Sequence, residues 1–181
     1  MNLDLIHNDF PIWEVTGWTV PDIDYKNIAH KKFNQSSKHY KSSDLRQILD
    51  LDFNFYEQGV DIQNMLRESD LLVLDQMWKG NLKRFQWPFD GLVTLLDKPG
   101  FKMSNHVDNR FVLGVLIINL QDNPEGSSTQ FPMLGYSSPS KKGTGVFFLN
   151  HENTIHTIEQ PGPENRIISY QTLTIDNLRY D

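Results

Sequence analysis

The sequence predicts a mainly β fold of the α+β class: a sandwich or barrel of short strands, with N-terminal helices packed on one sheet. Three observations carry this expectation. Beyond Trp87 the chain runs in short β-branched and aromatic stretches separated by Gly, Pro, Asn and Ser, the pattern of many short strands joined by tight turns. Before Trp87, apolar residues fall at helical spacing in two places. Finally, 181 residues with 38% hydrophobic and 22% charged composition suit one domain with a buried core and exclude a disordered chain.

In chain order, Ser42-Ser43-Asp44 reads as an N-cap for a helix with Leu45, Ile48 and Leu49 on one face. Residues 61–74 read as a second helix with Ile62, Met65, Leu66 and Leu72 inward. Between them, 50–56 is ambiguous, because Leu51, Phe53 and Phe55 alternate with polar residues as a strand would. Residues 91–96 read as a strand ending in the turn Asp97-Lys98-Pro99-Gly100. Residues 111–120 are apolar on both faces, as a buried strand is, and Asn123-Pro124-Glu125-Gly126 breaks them. Strands follow at 145–149 and 155–158, and Pro161-Gly162-Pro163 turns the chain into 166–175. The whole reads as a single domain, 1–181, in which 1–86 supports and 87–178 holds the core and the site.

A formal net charge of −6 argues against general nucleic-acid binding. The early lysines 26, 31, 32, 38 and 41 read as a solvated face. Absence of cysteine removes disulfides, thiolate metal sites and thiol nucleophiles. Neither a signal-peptide pattern nor a membrane-length apolar run is present, so a soluble, cytoplasmic protein is expected. Trp13, Trp18, Trp78 and Trp87 read as packing residues.

The β half carries the chemistry. His106-Val107-Asp108 offers an imidazole and a carboxylate two residues apart, which point the same way on extended backbone. With His156 they make a two-histidine, one-carboxylate set, suited to iron(II) with open positions on one side. His151 is the competing third ligand, although it sits in a polar turn. Arg166 follows His156 by ten residues and heads an apolar strand. Burying it requires an anion. That anion is either the far carboxylate of a bound keto diacid or an internal partner such as Glu159, Glu164 or Asp176.

Several segments have matching order and spacing: His106-Val107-Asp108-Asn109, Leu116-Ile117-Ile118-Asn119, Gly126-Ser127-Ser128-Thr129-Gln130-Phe131, Lys142-Gly143-Thr144-Gly145-Val146-Phe147-Phe148, and His156 through Arg166. In these the chain resembles the 2-oxoglutarate and iron(II)-dependent oxygenases, within them the prolyl-hydroxylase-like branch, over roughly 92–175. The resemblance implies a double-stranded β-helix (jelly roll) with N-terminal helices on one sheet. It implies Fe(II) held by His106, Asp108 and His156, and 2-oxoglutarate held by Arg166. With O2, such a site hydroxylates a substrate and releases succinate and CO2. The substrate itself, a small molecule or a peptide side chain, is not legible, nor is the oligomeric state. Met103 and Ile117 stand where that branch has tyrosines, so the co-substrate pocket leans either on Arg166 alone or on hydroxyls such as Thr94, Thr157 and Ser169. Two rival readings remain. One is a cupin-like isomerase or hydrolase, which uses the same metal set without employing Arg166. The other is a non-catalytic jelly-roll ligand-binding domain.

Overall fold

The computed structural model describes residues 1–7, 10–32, 43–51, 90–109, 112–160 and 162–174. Twelve strands lie within them. Four come first: β1 (Asn2–His7), β2 (Phe10–Thr16), β3 (His30–Lys32) and β4 (Arg46–Leu49). The remaining eight are β5 (Asp90–Asp97), β6 (Lys102–His106), β7 (Val112–Asn119), β8 (Thr129–Phe131), β9 (Tyr136–Ser137), β10 (Gly145–Leu149), β11 (His156–Glu159) and β12 (Arg166–Thr174). They form an eight-stranded sheet in the order β1-β2-β10-β7-β12-β5-β4-β3 and a four-stranded sheet in the order β6-β11-β8-β9. Every pairing is antiparallel. From β5 onward the chain supplies four strands to each layer, giving the strand order of a jelly roll.

Both faces of the larger sheet are buried, which explains why its strands read as continuous apolar runs. Along β7, Val115 and Ile117 pack with Phe148 and Ile168 and with Phe131 of the small sheet. Leu116 and Ile118 point the other way, into a cluster with Trp13, Trp18, Phe147 and Ile167. Helices were expected to cover that second face. Among the described residues, Val20, Tyr25 and Ile28 of the N-terminal segment pack against it, and Tyr25 donates its hydroxyl to the Leu120 carbonyl at 3.1 Å.

The helix expected near 45–49 is a 3-10 turn, Ser43–Leu45, followed by strand β4. Ile48 and Leu49 join opposite clusters, as adjacent strand residues do and helical neighbours on one face do not. Among the described residues there is no α-helix, and none long and apolar enough to cross a membrane. The helix expected over 61–74 lies outside the described residues, as does most of 50–56. The strands at 91–96, 111–120, 145–149, 155–158 and 166–175 correspond to β5, β7, β10, β11 and β12. Trp13 and Trp18 are core residues.

The turn before β10 is set by two glycines. Gly143 adopts φ +72°, a conformation open to few other residues, and its carbonyl accepts from Trp18 N at 2.8 Å. Gly145 lies opposite Ile118 where β10 meets β7. A Cβ there would stand 1.9 Å from the Ile117 carbonyl oxygen. Gly145→Ala is therefore expected to destabilise the chain by about 1–3 kcal/mol, the usual range for overpacking, measured as a lower urea midpoint with an unchanged slope.

Candidate metal centre

β6 and β11 are paired so that His106 lies directly opposite His156. Asp108 follows β6 by two residues, and one ligand atom from each of the three lies within 4.8 Å of the others. The two rings stand 4.3 Å apart between centroids, tilted by 54°. Each histidine meets the carbonyl two residues before it: His106 Nδ1 lies 2.8 Å from Ser104 O, and His156 Nδ1 lies 3.1 Å from Thr154 O. A carbonyl can only accept, so both Nδ1 atoms carry a proton, and in the neutral ring the lone pair is on Nε2. This is how backbone oxygens orient metal-binding imidazoles.

His156 is buried, and its pKa lies below the ordinary histidine value. Burial is the dominant cause; Asp108 and the Thr154 carbonyl oppose it. The neutral ring faces Asp108, with Nε2 3.7 Å from Oδ2. With the proton on Nδ1, two lone pairs confront each other across that gap. Asp108 Oδ2 is itself buried and accepts no hydrogen bond from the described residues, while Oδ1 lies 3.4 Å from the Tyr170 hydroxyl. A cation resolves this arrangement. Two imidazoles and one carboxylate fit iron(II) by donor type.

The Asp108 loop is held by Asn150, at the end of β10. Its Oδ1 accepts from Asp108 N at 3.0 Å, and its Nδ2 donates to the carbonyls of Asp108, Asn109 and Val112 at 3.2, 3.1 and 2.9 Å. Asn150→Ala is expected to keep the fold but weaken divalent-metal binding by about 10- to 100-fold, the usual cost of losing an outer partner, read by titration with Mn(II). Behind His156, Phe148 meets its ring edge-on at 4.8 Å and Phe131 stands at 5.9 Å. An open cleft of about 660 Å³ leads to the cluster, lined by His106, Asp108, Val107, His151, Glu152 and Ile155 among others.

His151 lies outside the three-residue cluster. It caps the 3-10 turn Glu152–Thr154, and its Nδ1 accepts from Asn153 N at 3.1 Å.

Arg166, the first residue of β12, is 1% exposed. Its acid partner is Asp97 rather than Glu159 or Glu164: Nη1 donates to Asp97 Oδ2 at 3.0 Å, and Nη2 donates to Thr129 Oγ1 at 3.1 Å. Asp176 lies outside the described residues. Arg166 Nε is buried and has no acceptor among the described residues. Asp97 also binds Arg46, whose Nε and Nη2 donate to its two oxygens at 2.6 and 2.8 Å. Burial alone would raise the Asp97 pKa, but Arg46 and Arg166 outweigh it and hold the carboxyl below its ordinary value.

The candidate hydroxyls fall elsewhere. Strand alternation puts Arg166, Ile168 and Tyr170 on the face toward the small sheet and Ser169 on the other, where Gln171 Nε2 donates to Ser169 Oγ at 3.3 Å. Thr94, beside Leu95 on β5, likewise faces away, since Leu95 packs inward. The Thr157 hydroxyl donates to the Met103 carbonyl. Thr129, which the sequence offers only as part of a motif segment, is the hydroxyl that meets Arg166.

No family description matches the sequence, and neither does any protein of curated function. Similar solved structures do exist. One is the viral collagen prolyl hydroxylase of Paramecium bursaria Chlorella virus-1 in complex with 2-oxoglutarate (21% identity, TM-score 0.45, 58% of this chain and 71% of that one). A second is a Pseudomonas putida prolyl-4-hydroxylase (16%, 0.47, 71% and 68%). A third is a Trichoplax adhaerens prolyl hydroxylase in complex with a hypoxia inducible factor peptide fragment (12%, 0.46, 85% and 74%). All three are prolyl hydroxylases.

Proposed function

We propose that the chain is a non-haem iron(II), 2-oxoglutarate-dependent dioxygenase of the hydroxylase type. His106, Asp108 and His156 hold the iron, and Arg166 holds the far carboxylate of 2-oxoglutarate. The observation that carries this reading is the meeting of three metal-ligating side chains within 4.8 Å, among them a buried carboxylate oxygen that accepts no hydrogen bond from the described residues. Iron(II) bound there supplies the oxygen chemistry, with 2-oxoglutarate converted to succinate and CO2 as a substrate is hydroxylated.

The chain's own residues bind, orient and exclude water. The Ser104 and Thr154 carbonyls fix both imidazoles with Nε2 available, so no proton need be lost for them to ligate. Asn150 fixes the backbone that presents Asp108. Phe131 and Phe148 keep the space behind His156 dry. Asp97 and Thr129 orient Arg166, whose planar fork suits a carboxylate. The substrate, a small molecule or a peptide side chain, reaches the cluster through the cleft beside Val107 and His151. A cupin-like isomerase or hydrolase would use the same three ligands, and Arg166 would then serve only Asp97 and Thr129.

The test couples binding to turnover. Wild type should release succinate when Fe(II), O2 and 2-oxoglutarate are supplied with substrate. Asp108→Ala should keep its circular dichroism spectrum and lose Fe(II) binding and succinate release together. An Asp108→Ala protein that retains full 2-oxoglutarate turnover rules the reading out.

A further inference from the structure

Arg46, Asp97 and Arg166 are cross-strand neighbours on β4, β5 and β12. One carboxylate lies between two guanidiniums, and none of the three is more than 3% exposed. Their bonds are unequal. Arg46 takes both Asp97 oxygens at 2.6 and 2.8 Å, whereas Arg166 makes one contact at 3.0 Å. Arg46 is steadied by the Phe101 ring, 4.2 Å below its guanidinium. Arg166 keeps a buried Nε–H with no acceptor among the described residues. Such a group costs stability until an acceptor arrives, and an anion is the acceptor a guanidinium suits best.

A pair made of Asp97 and Arg166 alone would be a poor anion site. The carboxylate would close on the fork, and an arriving carboxylate would meet the Asp97 charge at low dielectric. Arg46 prevents this by taking the larger share of Asp97.

We propose that Arg46 is a positioning residue for the co-substrate. By occupying Asp97 it leaves Arg166 anchored but not neutralised, ready to pair with the far carboxylate of a keto diacid. This rests on the function proposed above. Arg46 itself touches no co-substrate; it acts through Asp97.

The test is calorimetric titration of 2-oxoglutarate into the anaerobic, Mn(II)-loaded full chain. Arg46→Gln removes the charge but keeps an amide donor; Arg46→Lys keeps the charge but loses the fork. The Gln variant should bind 2-oxoglutarate about tenfold more weakly or worse, the scale of one lost charge interaction at an intermediate dielectric. The Lys variant should recover most of the affinity, and Mn(II) affinity should be the same in all. Adding Asp97→Asn to Arg46→Gln should restore 2-oxoglutarate binding, because the amide no longer neutralises Arg166. A residue that merely propped up the strand would make the double variant worse. Wild-type affinity in Arg46→Gln overturns the proposal, as does failure of the folded double variant to recover, or equal weakness of the Lys and Gln variants. If Arg46→Gln does not fold, Arg46→Lys decides: near-wild-type affinity supports the proposal and a loss beyond about tenfold overturns it. A wild type that binds no 2-oxoglutarate overturns the functional reading and this inference with it. A wild type that binds it, with affinity indifferent to Arg46, overturns this inference alone.

Discussion

Replacing Asp97 with alanine is expected to lower the melting temperature by roughly 6–20 °C. The side chain is fully buried and holds two buried guanidiniums. Removing one member of a buried ionic pair costs about 3–5 kcal/mol, and each kcal/mol is worth about 2–4 °C at this chain length. The loss comes from charge left behind rather than from charge removed. Replacing Arg46, Asp97 and Arg166 together with apolar residues of similar volume should therefore cost less than Asp97→Ala alone. The cluster also has a pH signature. The Asp97 carboxyl lies below its ordinary value in the folded chain, so its contribution is fully present above about pH 4, the unfolded value, and fades as pH falls through the folded value. Melting followed by circular dichroism from pH 7 to 2 should show this acid loss in wild type and a shallower one in Asp97→Asn. A pH-independent difference between the two would contradict it.

Arg166→Ala is expected to weaken 2-oxoglutarate binding by roughly two to four powers of ten, again from the ~3–5 kcal/mol of an orphaned buried charge, here the far carboxylate. Metal affinity should stay at the wild-type value, because Arg166 lies outside the ligand cluster. Arg166→Lys should recover part of the loss, since a point charge replaces a fork. Calorimetry on the anaerobic Mn(II) form separates the two affinities. Unchanged co-substrate binding in Arg166→Ala would leave the metal cluster standing and move the cupin-like reading ahead.

The residues of the site that were legible in the sequence are those whose chemistry is set by short spacing. His106 and Asp108 share one extended segment, and His156 and Arg166 flank one turn. Their partners were not legible, because Arg46, Asp97, Thr129 and Asn150 are brought in by strand pairing across dozens of residues. Asp97 was hidden in a sequence that reads as the start of a turn, whereas it is the buried last residue of β5. Tyr170 could have been found: four residues after Arg166 on a strand, it must share its face.

Among the elements, β5, β7 and β10 announce themselves as apolar runs between turn residues. β8 and β9, with three and two residues, are too short to show a period. β2 is obscured by Pro11, which speaks against a strand paired on both sides. The structure accommodates it at the irregularity where the β1 register shifts between Leu5 and His7, away from the ladder that Ile12 to Val15 make with β10. β4 was misread because both of its faces are buried, so its apolar residues do not alternate with polar ones.

The place of β12 in the large sheet has a consequence for synthesis. It lies between β5 and β7, pairing with both, yet it is made after either of them. Until the ribosome has passed residue 174, β5 and β7 each present an open edge to the other and to any neighbouring chain, a state prone to misassociation. The pairings that close the sheet span long stretches of sequence and form slowly. Arg166 begins that closing strand, so the proposed anchor for the co-substrate meets its partner Asp97 only as β12 pairs with β5.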